Sequence, residues 1–154
     1  MRKELYRTVV LMLLLVTAGF LVGPPSVYAV QNIVVNDMDF GVVGESEFMD
    51  GYALLLSQPI SWESDVGWRI TVYSLDPDLG LSNDGLYTKL LSDLQWKLSS
   101  GSLWVPMTQD ATEVDWSSDT GTGVVYIDAK VLLDWVNDVP GNYQADLVFT
   151  IEPL

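Results

Sequence analysis

Cysteine and histidine are both absent from this 154-residue chain. Without cysteine there is no disulfide, no thiol nucleophile, no cysteine-based zinc site and no lipid anchor through a thiol. A small domain must then hold together by its core alone. Without histidine no Ser-His or Cys-His catalytic pair can form. Basic residues are scarce: seven Lys and Arg stand against 21 Asp and Glu, for a net charge of −14. A surface this acidic repels phosphate backbones and anionic headgroups, which excludes nucleic acid as a partner. Internal repeats, low-complexity tracts and domain linkers are also missing.

What is present begins with an export signal. Arg2, Lys3 and Arg7 precede the uncharged apolar run Thr8–Val22, which is broken by Gly23-Pro24-Pro25 and followed by Val27-Tyr28-Ala29. This layout predicts a signal peptide over residues 1–29, cleavage after Ala29 and a single mature domain over 30–154. The run is short for a bilayer span, which takes about 20 apolar residues. No second span follows, so no stable membrane insertion is expected after cleavage, and the address is secreted, periplasmic or cell-surface. Loss of Arg2, Lys3, Arg7 and Glu4 leaves Arg69, Lys89, Lys97 and Lys130 against 20 acids, a net charge of −16.

The mature chain reads as strands. Tyr143, Ala145, Leu147, Phe149 and Ile151 alternate with polar neighbours, the mark of a half-buried strand. Gly123–Leu133 precedes it, across the turn 137–142. Val66–Leu75 alternates likewise and is rich in β-branched and aromatic residues. Gly51–Ser57 is a continuous apolar run, read as a strand buried on both faces, with Ile60–Glu63 continuing it after a kink. Ile33–Val35 and Met38–Val43 make a first strand or two short ones. Leu90–Leu94 suggests one helical turn before a strand at Leu94–Leu98, and Leu103–Met107 and Thr112–Trp116 are further short strands. Asp76–Gly85 is turn-rich. The whole predicts an all-β protein, an antiparallel Greek-key, immunoglobulin-like β-sandwich of seven or eight strands. A barrel is the lesser option.

Candidate chemistry is thin. Asp76, Asp78, Asn83 and Asp84 share one loop and could gather oxygens around calcium, but their spacing departs from the EF-hand pattern and the same residues make turns for local reasons. No other cofactor is expected. Any two of the acids could be paired for glycoside hydrolysis, so that signal has no specificity and the chain is read as non-enzymatic. Of the six tryptophans, Trp68 and Trp135 are expected in the core, while Trp62, Trp104 and Trp116 lie near loops or edges and could stack on a cell-surface glycan.

Asp39-Phe40-Gly41, Trp68-Arg69-Ile70-Thr71-Val72, and Pro140-Gly141-Asn142-Tyr143 with Phe149-Thr150-Ile151 resemble motifs of the spore coat protein U-type and related fimbrial subunits. The Trp68-Arg69-Ile70 element is also similar to WxL-type cell-wall domains. The resemblance implies a non-catalytic structural or adhesive subunit at the cell surface, with protein partners and self-association through strand edges. In fimbrial relatives a neighbour donates a strand to an incomplete sandwich, a form of β-augmentation. The usual disulfide of such subunits is missing here. The segment Val30–Val35, with Val30, Ile33 and Val35 as its apolar residues, could serve as a short strand-exchange segment. A carbohydrate-binding module is the alternative reading.

Overall fold

A computed structural model describes residues 29–135, 138 and 141–154. The expected signal peptide, up to residue 28, and residues 137, 139 and 140 of the closing turn lie outside them. The elements in chain order are β1 (Gln31–Val35), α1 (Glu45–Asp50), β2 (Tyr52–Ser64), β3 (Trp68–Ser74), β4 (Asp78–Leu81), β5 (Thr88–Leu90), a 3-10 turn (Leu91–Asp93), β6 (Leu94–Leu98), β7 (Val105–Pro106), β8 (Thr112–Ser117), β9 (Gly121–Leu132) and β10 (Leu147–Pro153). They build a five-stranded sheet in the order β1-β2-β9-β6-β7, a three-stranded sheet β10-β3-β8 and a small β4-β5 ribbon. Every pairing is antiparallel. The result is an immunoglobulin-like β-sandwich. The described strands exceed the expected seven or eight because the short β4 forms inside the loop Asp76–Gly85 and β5 just before the expected helical turn.

Period-two alternation sends Ile60, Trp96 and Ile127 of one sheet and Trp68, Ile70 and Val72 of the other into a shared core. The run Gly51–Ser57 is corrected by the structure. Its inward residue Ala53 is buried, whereas Tyr52, Leu54 and Leu56 are exposed on the outer face, so the strand is not buried on both faces. The expected kink is a β-bulge: the register shifts between Leu55 and Gln58, with Ser57 at φ 54°. Leu56 and Ser57 stand opposite Asp128, two residues against one, the signature of a bulge.

Asp128 holds that bulge together. Its carboxylate accepts from the Ser57 N–H at 3.0 Å, the Ser99 hydroxyl at 2.6 Å and the Lys97 ammonium at 2.7 Å. Burial by itself would raise its pKa, but these hydrogen bonds and the Lys97 charge outweigh it and hold the group down at about 2.

Three further expectations change. Met38–Val43 forms no strand; it runs unpaired into α1, a helix too short to show periodicity. Glu47 accepts the Gly44 N–H at its start, at 2.9 Å, and Gly51 ends it at φ 78°. Trp135 is not in the core: it is 58% exposed, with its ring 4.8 Å from that of Phe48 on α1. Finally, the strand read from Tyr143 starts later than expected, after a segment that joins β9 in one sheet to β10 in the other. β10 pairs only from Leu147 onward, although Tyr143 and Ala145 still pack against the core as the alternation requires.

Candidate functional site

The sandwich opens where β1 and β10, which run close together, come to their ends. β1 is an edge of the five-stranded sheet and β10 an edge of the three-stranded sheet, and neither has a strand partner on its outer side among the described residues. Beside their ends lies a cleft of about 820 Å³. One wall is Val35 at the end of β1 with the unpaired segment 36–41 that follows it, the other is Asn142–Phe149, and the floor includes Trp96, Met107, Ile127 and Ala129 of the core.

The register shows what this side offers. In β10 the Leu75 N–H donates to the Asp146 carbonyl and the Leu154 N–H to the Gly67 carbonyl, both at 2.9 Å. Hydrogen-bonded positions alternate in an antiparallel pair, so Val148, Thr150 and Glu152 exchange bonds with β3. Leu147, Phe149 and Ile151 therefore turn their backbone N–H and C=O groups toward the open edge, while their side chains face the core. In β1 the Asp65 N–H donates to the Val30 carbonyl at 3.1 Å. By the same rule Ile33 and Val35 turn their backbone groups outward. Apolar side chains inside and unpaired peptide groups at the rim are what an added strand requires.

The far wall is pinned by polar contacts around the β4-β5 ribbon. Lys89, 3% exposed, donates to Asp138 at 2.6 and 2.7 Å and to the Leu132 carbonyl at 2.7 Å. Asp93 lies 3.2 Å from the same ammonium. The Tyr87 hydroxyl donates to Asp138 at 2.9 Å; burial, with the Asp138 carboxylate, pushes its pKa far above the ordinary phenol range. The Gln144 N–H reaches the Leu79 carbonyl at 2.8 Å, and Gly141 bridges to Ser82. The crossover is thus held against the ribbon before it enters the cleft wall. No sequence pattern marked Lys89 or Asp138, because their pairing joins residues far apart in the chain.

The residues singled out from the sequence fall in separate places. Val30 adjoins, and Ile33 and Val35 lie on, β1, which is paired along its length with β2 of its own chain; the segment forms one border of the open side. Trp62 is on the inner face, its ring 4.3 Å from that of Trp68. Trp104 covers the outer face of the same sheet, with the Lys130 and Lys97 ammoniums 4.4 and 5.3 Å from its ring centre. Trp116 is exposed on the outer face of the other sheet, opposite Arg69. The three share no surface. In the acidic loop, Asp76 accepts the Asp146 N–H, Asp78 the Gly80 N–H, and Asp84 the Ser82 hydroxyl and Leu86 N–H, while Asn83 is exposed. These carboxylates serve separate turns, and among the described residues no three acids gather as a metal site. No described helix is long and apolar enough to cross a membrane.

No protein-family model and no curated protein matches the chain. Two solved structures resemble it. One is the P pilus rod subunit PapA, with a TM-score of 0.50 and 14% identity, covering 79% of this chain and 97% of that one. The other is a chaperone-usher pilus structure, with a TM-score of 0.47 and 13% identity, covering 77% and 82%. The likeness to the rod subunit is one of fold: the chain has a fimbrial-subunit-like, immunoglobulin-type β-sandwich.

Proposed function

We propose that this protein is a non-catalytic structural subunit of a cell-surface assembly, exported by its leader and joined to neighbours by accepting a β-strand at its open side. The observation that carries this reading is the pair of edge strands β1 and β10, from different sheets, bordering one apolar cleft with outward-turned peptide groups. A strand with alternating apolar residues would fill the cleft with side chains and satisfy the rim with backbone hydrogen bonds. The fold likeness to a pilus rod subunit supports the same reading.

Export and processing belong to this proposal. Val30 directly precedes β1, and its N–H donates to the Asp65 carboxylate at 2.8 Å. Cleavage after Ala29 would leave the new ammonium group facing that carboxylate, which suits a mature terminus at this point.

The test is to express the full chain in a secreting bacterial host, sequence the N-terminus of the exported protein, and image it by negative-stain electron microscopy. Filaments or oligomer ladders that disappear in Ala145→Trp, which fills the cleft, are the expected result. Assembly that survives a well-folded Ala145→Trp variant would remove the cleft from the mechanism. A terminus elsewhere than Val30 would reject the processing site without touching the cleft.

A further inference from the structure

The outer face of the five-stranded sheet is unusual for so acidic a chain. Tyr52, Leu54, Val124 and Tyr126 are each 40–50% exposed there. At its centre Lys130 lies 4.4 Å from the Trp104 ring centre and 6.0 Å from that of Tyr52. Lys97 beside it is neutralised by Asp128 at 2.7 Å. Lys130 has no carboxylate within 4.0 Å among the described residues. A cation held against aromatic rings, with partly exposed apolar side chains around it, differs from an ordinary solvated face and offers a partner both charge and apolar area.

The opposite broad face of the same molecule has the complementary character. On the outer side of the three-stranded sheet, Glu113 pairs across from Thr71 and the 58% exposed Trp116 across from Arg69. Arg69 is taken up by Glu152 at 2.8 Å, which leaves the Glu113 carboxylate in excess. One face thus carries an unneutralised ammonium beside Trp104, the other an unneutralised carboxylate beside Trp116.

We propose that a second copy of this chain docks its Glu113–Trp116 face onto the Lys130–Trp104 face of the first. The charge pattern selects this occupant. Two copies carrying an excess of acid repel over most of their surfaces, and this pairing of faces brings opposite charges together with apolar surface around them. The contact is heterologous, front to back, so each copy can engage two neighbours, in a ring or an open stack according to the rotation between copies. It uses side chains on the sheet faces and is separate from strand insertion at the open edge, so either can fail alone.

The test uses exported protein from the full chain in sedimentation velocity at low and high salt. Wild type should associate with rising concentration, and more weakly at high salt. Lys130→Glu and Glu113→Lys should each weaken association by roughly tenfold or more, the scale of losing one interfacial charge pair. Mixing the two variants should restore it, since each then offers the charges the other lacks. Circular dichroism checks that both remain folded, and Lys130→Gln should show a smaller loss than Lys130→Glu. A wild type that stays monomeric throughout, or a folded mixture no more associated than its components, would overturn the proposal.

Discussion

Trp62 lies flat against the backbone of Gly123 on the neighbouring strand. The two are register partners across β2 and β9, and a Cβ at position 123 would sit 2.7 Å from Cζ2 of the indole. The glycine makes room for the ring, which then packs 4.3 Å from Trp68 of the opposite sheet. One missing methyl group therefore lets two tryptophans join the sheets.

Gly123→Ala should force Trp62 from this position. An overpacked core site of this kind costs about 1–3 kcal/mol. The urea midpoint should fall with little change in slope, and an unchanged midpoint would show that the ring can move freely.

Trp68 is 3% exposed in the core. Trp68→Ala should cost about 3–5 kcal/mol, the range for deleting a large buried aromatic. Chemical denaturation measures this directly, and a barely destabilised variant would mean that the two sheets pack through other residues.

The Lys89–Asp138 pair has both side chains 4% exposed. Among the described residues, Asp138→Ala leaves the buried ammonium with Asp93 and the Leu132 carbonyl, and breaking such a pair costs about 3–5 kcal/mol. Lys89→Met together with Asp138→Leu should recover much of that loss, because the desolvation of both charges goes with them. Comparing the two variants by thermal melting distinguishes a stranded charge from a lost packing contact.

Asp128 sets an acid limit. Its folded pKa of about 2 lies below the unfolded value, so the stabilisation is fully present above about pH 4 and is lost as pH falls through about 2. The difference corresponds to about 2 kcal/mol. Between those pH values wild type should lose stability more steeply than Asp128→Asn, as followed by denaturant midpoints at each pH. Parallel curves would mean that the Ser57 bulge does not depend on this charge.

Alternation made the inner faces of β3 and β10 readable, because period two follows from the pleat itself. Trp68, Ile70 and Val72 are buried as their spacing requires, and Tyr143, Ala145, Leu147, Phe149 and Ile151 pack against the core. Gly51–Ser57 misled for a physical reason: an apolar run looks the same whether its second face is covered or left to solvent. Trp135 misled because its neighbours in sequence do not reveal that its ring would meet Phe48 at the surface.

The sequence by itself determined the fold class, the strongly acidic surface and the absence of thiol and imidazole chemistry. These depend on composition and on local periodicity, which no long-range contact can alter. Only the tertiary structure decided which strands became edges, that β9 and β10 part into separate sheets, and where Lys89 finds Asp138. Pairing partners are set by packing between distant segments, and the open side of the sandwich is a product of that pairing.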